Sequence, residues 1–464
     1  MKQIFNKFRI HRIAAVVLAA AISLCQLSGS MSLSNLSSAS PLQSIAFSEG
    51  AKQNSVSAVK KISLNYKISS KKVKPVKISA NTAAVKQTIQ KSSVGAGYTY
   101  VSQRSGYQSL TTQSEKILYN YIGDSAYQVA DQQVSGYYPT GEIFLPYKMT
   151  EAQIRTTIIA YTNDNPQIFW LANAFSYSIE SGGTILQPYS YLPESECNSA
   201  IDTFSSKVKS VVQSIPSGLS EFDREEYLFN YLVQNCTYDT EAATNTDKWQ
   251  SFSAYGALTV GQAVCEGYSR AMQLLCSYAG LQCALIRGTS DGVGHMWNAV
   301  RINGKWYHLD VTWGDNSFPV FNYFNVTDKV ISQSRSVAPK ISSLTVQQIN
   351  SGNVQSNLYL PVCNSTSANY YVVKGIKIKN LKSSSERAII SAITSKMQNG
   401  VGTISFYVDP KSNYPSVVNS LLTNSPYKMR SYLAQAEQTS GKTVSEVSYL
   451  LDTANRGFTL YITY

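Results

Sequence analysis

The chain reads as an α+β protein in which a helix-borne cysteine packs on an antiparallel sheet, flanked by two smaller α/β domains. Three observations predict this. Cys265 falls where a loop becomes a helix, the dipeptide Asn303-Gly304 separates two strand-like runs, and helix-like and strand-like segments alternate both before and after that block. At 464 residues the chain exceeds what one hydrophobic core usually organises, so several domains are expected.

The amino-terminal part comes first. Lys2, Lys7, Arg9 and Arg12 precede an apolar run from Ile13 to Leu24, followed by the small residues Ser28, Gly29 and Ser30. This is the pattern of a signal peptide over residues 1–30, and the run is shorter than the ~20 residues a membrane-spanning helix needs. The mature protein is therefore expected to be secreted or associated with the cell surface. Residues 1–95 hold fourteen Lys/Arg against the single Glu49, a net of +13, whereas the remainder holds 26 basic and 27 acidic residues. The formal charge of +12 thus resides in a leader and a basic, Ser-rich stretch at 31–95, which reads as a disordered tether. Outside a cell its partners would be anionic wall polymers or lipid headgroups rather than nucleic acid.

In the expected N-terminal α+β domain, 96–195, Thr112-x-x-Glu115 opens a helix with Ile117, Leu118, Tyr121 and Ile122 on one face. Thr150-x-x-Gln153 opens a second, carrying Ile154, Ile158 and Ile159 and ended by Asn165-Pro166. Strand-like runs follow at Ile168 to Leu171 and Phe175 to Ile179, with a turn-rich stretch around Gly182, Gly183 and Pro193.

The block 196–337 is expected to carry the chemistry. Helices are predicted from about Glu196 to Ser214, from Ser220 through Leu232, and from Cys265 to a left-handed cap at Gly280. Strands are predicted at Leu281 to Arg287, His295 to Ile302 and Lys305 to Trp313, the last two joined by Asn303-Gly304. With that two-residue turn, His295 would face Thr312 and Trp297 would face Asp310. His295, Trp297, His308, Asp310 and Thr312 would then share one face, with Asp310 diagonal to His295. From 341 to 464 strand-like runs (Tyr370 to Ile378, Thr403 to Val408, Thr459 to Tyr464) alternate with helix-like ones (Glu386 to Met397, Met429 to Glu437). That region contains no histidine.

Removing the leader leaves His295 and His308 as the histidines, and Cys197, Cys236, Cys265, Cys276, Cys283 and Cys363 as the cysteines. A thiol at a helix start gains from the first-turn amides and the helix dipole, which favour the thiolate, and the same amides can donate to a developing oxyanion. Cys265 has that place and Gln262 is a candidate second donor. Cys276, among Leu274, Leu275 and Tyr278, reads as a buried small hydrophobe, as do Cys197, Cys236 and Cys283. None of the gaps is a zinc-site spacing, so no metal is expected.

The runs AYGALTVGQAVCEGYSRAMQLLCSYAGL and GHMWNAVRINGKWYHLDVTWGD resemble the core of the transglutaminase-like superfamily, in particular the bacterial branch akin to kyphoscoliosis-type peptidases. The resemblance is direct over about Ala254 to Asp315 and extends back to Tyr227. It implies a papain-like core in which Cys265 attacks an amide carbonyl, His295 carries the proton and Asp310 orients it. The resemblance also favours His295 over His308 and makes Trp297, Asn298, Trp313 and Asp315 supports. The implied activity is thiol acyl transfer on protein or peptide amides, as protease/amidase or transglutaminase, with hydrolysis the default by analogy. Neither a cofactor nor calcium is called for. The alternative is a non-catalytic surface or wall-associated binding protein that keeps the core as a scaffold.

Overall fold

The computed structural model describes residues 98–464 apart from positions 100, 102, 103, 244, 246 and 317. The expected signal peptide and the basic tether lie outside the described residues.

The first region contains helices α1 (Ser105–Ser109), α2 (Gln113–Ser125) and α3 (Glu151–Asp164), with strands β1 (Tyr138–Pro139), β2 (Ile143–Leu145), β3 (Leu171–Glu180) and β4 (Gly183–Ser190). Both expected capping boxes form. The Thr112 and Thr150 side chains accept from the amides of Glu115 and Gln153, whose side chains return the bond. On α2 the inward residues are Leu118, Tyr119 and Ile122, whereas Tyr121 is 45% exposed, so the apolar stripe is rotated from the expected one. The turn-rich reading after Gly183 is also corrected. Residues 183–190 form the central strand of an antiparallel sheet, β4 pairing with β1, β2 and β3. Pro188 is tolerated because it lies beside the irregularity in the β3–β4 register, where a missing N–H breaks no regular ladder.

Helices α4 (Glu194–Gln213) and α5 (Glu221–Asn235) lead into the middle of the chain. The short strands β5 (Thr237–Tyr238) and β6 (Gln262–Ala263) pair in parallel just ahead of helix α6 (Cys265–Tyr278). Then come β7 (Gln282–Ser290), β8 (Val293–Ile302), β9 (Lys305–Leu309), β10 (Phe324–Val326), the short helix α7 (Asp328–Ile331) and β11 (Arg335–Val337). These strands form one antiparallel sheet in the order β10-β9-β8-β7-β11. Asn303 and Gly304 adopt positive φ of 49° and 78°, as a two-residue hairpin turn requires, and the register from Ile302↔Lys305 to Asn298↔Leu309 is the expected one. The ladder stops at Leu309, however, so the expected pairings of Trp297 with Asp310 and His295 with Thr312 do not form. The Asp310 amide donates instead to the Tyr323 carbonyl, and Thr312–Gly314 turns into a short 3-10 helix.

The remaining elements are α8 (Val346–Ser351), α9 (Tyr370–Lys374), β12 (Ile376–Ile378), α10 (Ser383–Gln398), β13 (Thr403–Val408), α11 (Tyr414–Val418), α12 (Lys428–Ser440), β14 (Glu446–Asp452) and β15 (Gly457–Thr463). Their sheet runs β12-β13-β15-β14 and has its own apolar core of Ile389, Ile393, Phe406, Leu433 and Phe458. The expected strand from Tyr370 is corrected to a helical turn as far as Lys374. The Asn369 side chain caps it by accepting from the Tyr371 amide, and both tyrosines are buried in the main core. Among the described residues no helix is long and apolar enough to cross a membrane.

Helix α6 is buried along nearly its whole length and belongs to the large core that runs from α2 to Tyr371. A smaller cluster of Ile286, Trp297, Ala299, Val326, Ile331 and Cys363 packs separately. The central sheet therefore contributes to two apolar layers, and the strand ends near Cys265 are held between them.

Candidate active site

Cys265 is the first residue of α6, preceded by Val264 in extended conformation. Two glycines shape the approach. Gly261, at φ +80°, ends the tight turn before β6. Gly267 lies so close to the Ser251 carbonyl and Ala263 that an added Cβ would sit 2.5 Å and 2.7 Å from them. That approach clamps the preceding loop on the first helical turn. Farther along, the Ser269 hydroxyl bonds the Cys265 and Met296 carbonyls at 2.8 and 3.0 Å, and Asn298 Nδ2 donates to the Ser269 carbonyl at 3.0 Å. The helix start is thereby fixed against β8. Cys265 is half-buried, whereas Cys197, Cys236, Cys276, Cys283 and Cys363 are buried, and all six are free thiols. Burial pushes the Cys197 and Cys236 thiols up to about 12.

His295 is buried near the start of β8, and the nearby Cys265 thiol is among the groups that raise its pKa. The direct contact of the imidazole is Nε2 to Asp310 Oδ2 at 2.8 Å, which leaves Nδ1 as the nitrogen available to the thiol. Burial alone would discharge this ring. The negative charge and hydrogen bond of Asp310, with the contact to Cys265, outweigh it and raise its pKa from 6.5 to about 9. Burial likewise works against the Asp310 carboxylate, but His295 and Arg335 prevail and hold its pKa down at about 2.

Arg335, on β11, was not among the residues expected here. Its Nη2 and Nε donate to Asp310 Oδ2 at 2.6 and 3.0 Å, and neither side chain is exposed. The guanidinium lies 3.7 Å from the Tyr323 ring centroid and 5.1 Å from that of Trp313. Nothing in Ser334-Arg335-Ser336-Val337 marks a buried arginine, because only the fold brings this edge strand to Asp310.

The supports occupy distinct positions. Trp297 is fully buried, stacks on His295 with ring centroids 5.8 Å apart, and donates from Nε1 to His308 Nδ1 at 3.0 Å. His308 Nε2 in turn meets Asp328 Oδ1 at 2.9 Å, so His308 stands behind Trp297 and not at the thiol. The ligand atoms of His308, Asp328 and Cys363 lie within 4.8 Å of one another. A metal fits poorly there, because the Trp297 N–H occupies the Nδ1 lone pair and leaves Nε2 as the protonated nitrogen. Gln262 is exposed on β6, and Asn298 is committed to the Ser269 carbonyl on the helix side of β8. Asp315 accepts from the Tyr268 hydroxyl at 2.5 Å and so ties α6 to the segment after Asp310.

A shallow cleft open to solvent lies beside α6, which lines it with Glu266 and Arg270; Cys265, His295 and Asp310 are not among its walls. Its walls include Phe169, Tyr191, Trp249 and Phe252, and its floor the Glu266–Arg270 ion pair on α6. The Arg270 guanidinium also donates to the Thr162 carbonyl at the end of α3, so the first region and the cysteine helix build this cleft together. The arrangement offers a thiol at a helix start, an imidazole poised to exchange a proton with it, and an ionised carboxylate holding the ring.

Residues 209–311 match the model of the transglutaminase-like superfamily. Kyphoscoliosis peptidase of Mus musculus is 32% identical over 124 residues, covering 23% of this chain and 19% of the mouse protein. Its Homo sapiens counterpart is 29% identical over 133 residues, covering 25% and 20%. The chain thus spans about a fifth of the length of these relatives. A solved structure described as a TGase is 18% identical, covering 38% of this chain and 51% of its own, with a TM-score of 0.23, too low for the superposition to carry weight. Residues 209–311, within a mixed fold of helices and strands, are thus similar to a transglutaminase-like core.

Proposed function

We propose that the protein is a secreted thiol acyl-transfer enzyme with a Cys265-His295-Asp310 triad acting on protein or peptide amides. The observation that carries this reading is the Asp310–His295 hydrogen bond, with the His295 ring under the influence of the Cys265 thiol at the first turn of α6. The Cys265 sulfur attacks the amide carbonyl carbon and forms a C–S bond. The oxyanion is held by the Cys265 amide, with Gln262 as the second donor. As the intermediate collapses the C–N bond breaks, and the His295 imidazolium gives its proton to the departing amine, leaving a thioester. Water or a second amine then attacks the thioester while His295 takes its proton, and the thiol is restored. Hydrolysis makes the enzyme a protease or amidase, and attack by an amine makes it a transglutaminase.

The regions 96–195 and 341–464 are two flanking domains in this reading. Residues 31–95 tether the enzyme to anionic wall polymers or a membrane surface. The closeness of Cys265 to His295 supports an enzyme over a binding scaffold, which would have no need to keep the thiol within reach of the imidazole.

The test offers glutamine-containing peptides with and without a primary amine and follows ammonia release, amine incorporation and peptide cleavage. Turnover that vanishes in Cys265→Ala is expected. Turnover that persists in that variant, or its absence from the wild type under every condition, would count against the proposal.

A further inference from the structure

We propose that Arg335 is the positioning and charge-balancing residue of this site, acting through Asp310 to keep Cys265 reactive at neutral pH. The inference rests on the triad reading above.

Arg335 and His295 come from strands on either side of β7, where Arg335 pairs with Ser290 and Gly288 pairs with His295. Their side chains converge on one oxygen. Asp310 Oδ2 accepts from His295 Nε2 at 2.8 Å and from Arg335 Nη2 and Nε at 2.6 and 3.0 Å. Oδ1 accepts the Trp313 amide at 3.2 Å. A carboxylate held by four donors has one orientation, and it aims the ring that faces the thiol. The guanidinium is held in turn, by Nη1 to Ser334 Oγ at 2.8 Å and by the Tyr323 ring.

Charge gives the arrangement its second role. The charged groups on Asp310 are His295 on β8 and Arg335 on β11, with Tyr323 ahead of β10 on the guanidinium and Cys265 acting through His295. One ring behind stand His308 on β9 and Asp328 on α7. In the reactive form, thiolate, imidazolium and carboxylate sum to one negative charge, and the buried guanidinium brings the set to neutrality. Without it the same ion pair would carry an uncompensated buried charge, which proteins tolerate poorly. Each proton loss in the set would become harder, so the thiolate would form at higher pH.

A purely structural role for Arg335, holding β11 to the sheet, predicts altered stability and no change in that pH. Alkylation of Cys265 by iodoacetamide, followed by mass spectrometry as a function of pH, separates the two and needs no knowledge of the substrate. Arg335→Met and Arg335→Gln should raise the lower inflection of the profile by about one pH unit or more. Below the inflection that amounts to roughly tenfold slower labelling. Arg335→Lys, which keeps the charge but not the two-pronged contact, should hold the inflection at its wild-type pH while slowing turnover.

Circular dichroism establishes which variants fold. A folded neutral variant with an unmoved inflection overturns the proposal, as does a lysine variant whose inflection moves as far as the neutral ones. If neither neutral variant folds, the lysine variant decides by the same criterion. Wild-type Cys265 that labels no faster than the other cysteines would instead sink the acyl-transfer reading itself.

Discussion

Two histidine–carboxylate pairs stand on opposite sides of Trp297, and they differ in what surrounds them. In the first, His295 meets an Asp310 side chain with no exposure, whose charge Arg335 shares, and the His295 ring lies under the influence of a thiol. In the second, His308 meets an Asp328 side chain that is 53% exposed, with no guanidinium of the described residues on the carboxylate and Trp297 on the far nitrogen. A His–Asp contact is therefore not what singles out a site. The neighbouring nucleophile, the exclusion of water and the matched countercharge do, and each can be tested against the second pair.

The largest contrast is expected in turnover. His295→Ala should cost on the order of 10³-fold or more in kcat, since it removes the proton carrier, whereas His308→Ala should cost less than about tenfold. Comparable losses from the two would erase the distinction. Stability should follow the same order. Asp310→Ala leaves a buried guanidinium unpaired and should destabilise by about 3–5 kcal/mol, while Asp328→Ala, half in water, should cost below about 1 kcal/mol in denaturant titration.

The first pair also has a pH signature. His295 is raised from 6.5 to about 9, so its contribution to stability is complete below pH 6.5 and is lost as the pH rises through about 9. Asp310 is lowered from 3.8 to about 2, so its contribution is complete above pH 3.8 and is lost as the pH falls through about 2. Thermal unfolding should show the alkaline loss in the wild type and a flatter profile in His295→Gln; an unchanged slope in the variant would contradict the assignment. The smallest effect concerns the ring between the pairs. Trp297→Phe keeps an aromatic face over His295 and removes the hydrogen bond to His308, so about 1 kcal/mol of stability and only a few-fold change in kcat are expected.

Much of this site was legible because its signals are local. Asn303-Gly304 imposes one register, and that register puts His295, Trp297 and His308 on one face. Threonine caps marked α2 and α3 for the same reason, since a hydroxyl and a carboxylate or carboxamide three residues apart satisfy the first amides whatever the rest of the chain does. What escaped depends on distant contacts. Asp310 leaves the ladder because Tyr323 captures its amide, and β4 keeps its place despite Pro188 because it has partners on both edges. Tyr370 and Tyr371, strand-like by type, enter a helical turn because a side-chain cap and the main core reward it. Arg335 was the deepest omission, for its role exists only because the fold lets its side chain reach Asp310 from the far edge of the sheet.

The most direct test of the central claim is the relative rate at which iodoacetamide labels the six cysteines of the folded protein at neutral pH. Cys265 should react well ahead of the other five and lose that lead in His295→Ala. Equal rates in the wild type, or a lead that survives loss of the imidazole, would contradict an activated thiolate at the start of α6.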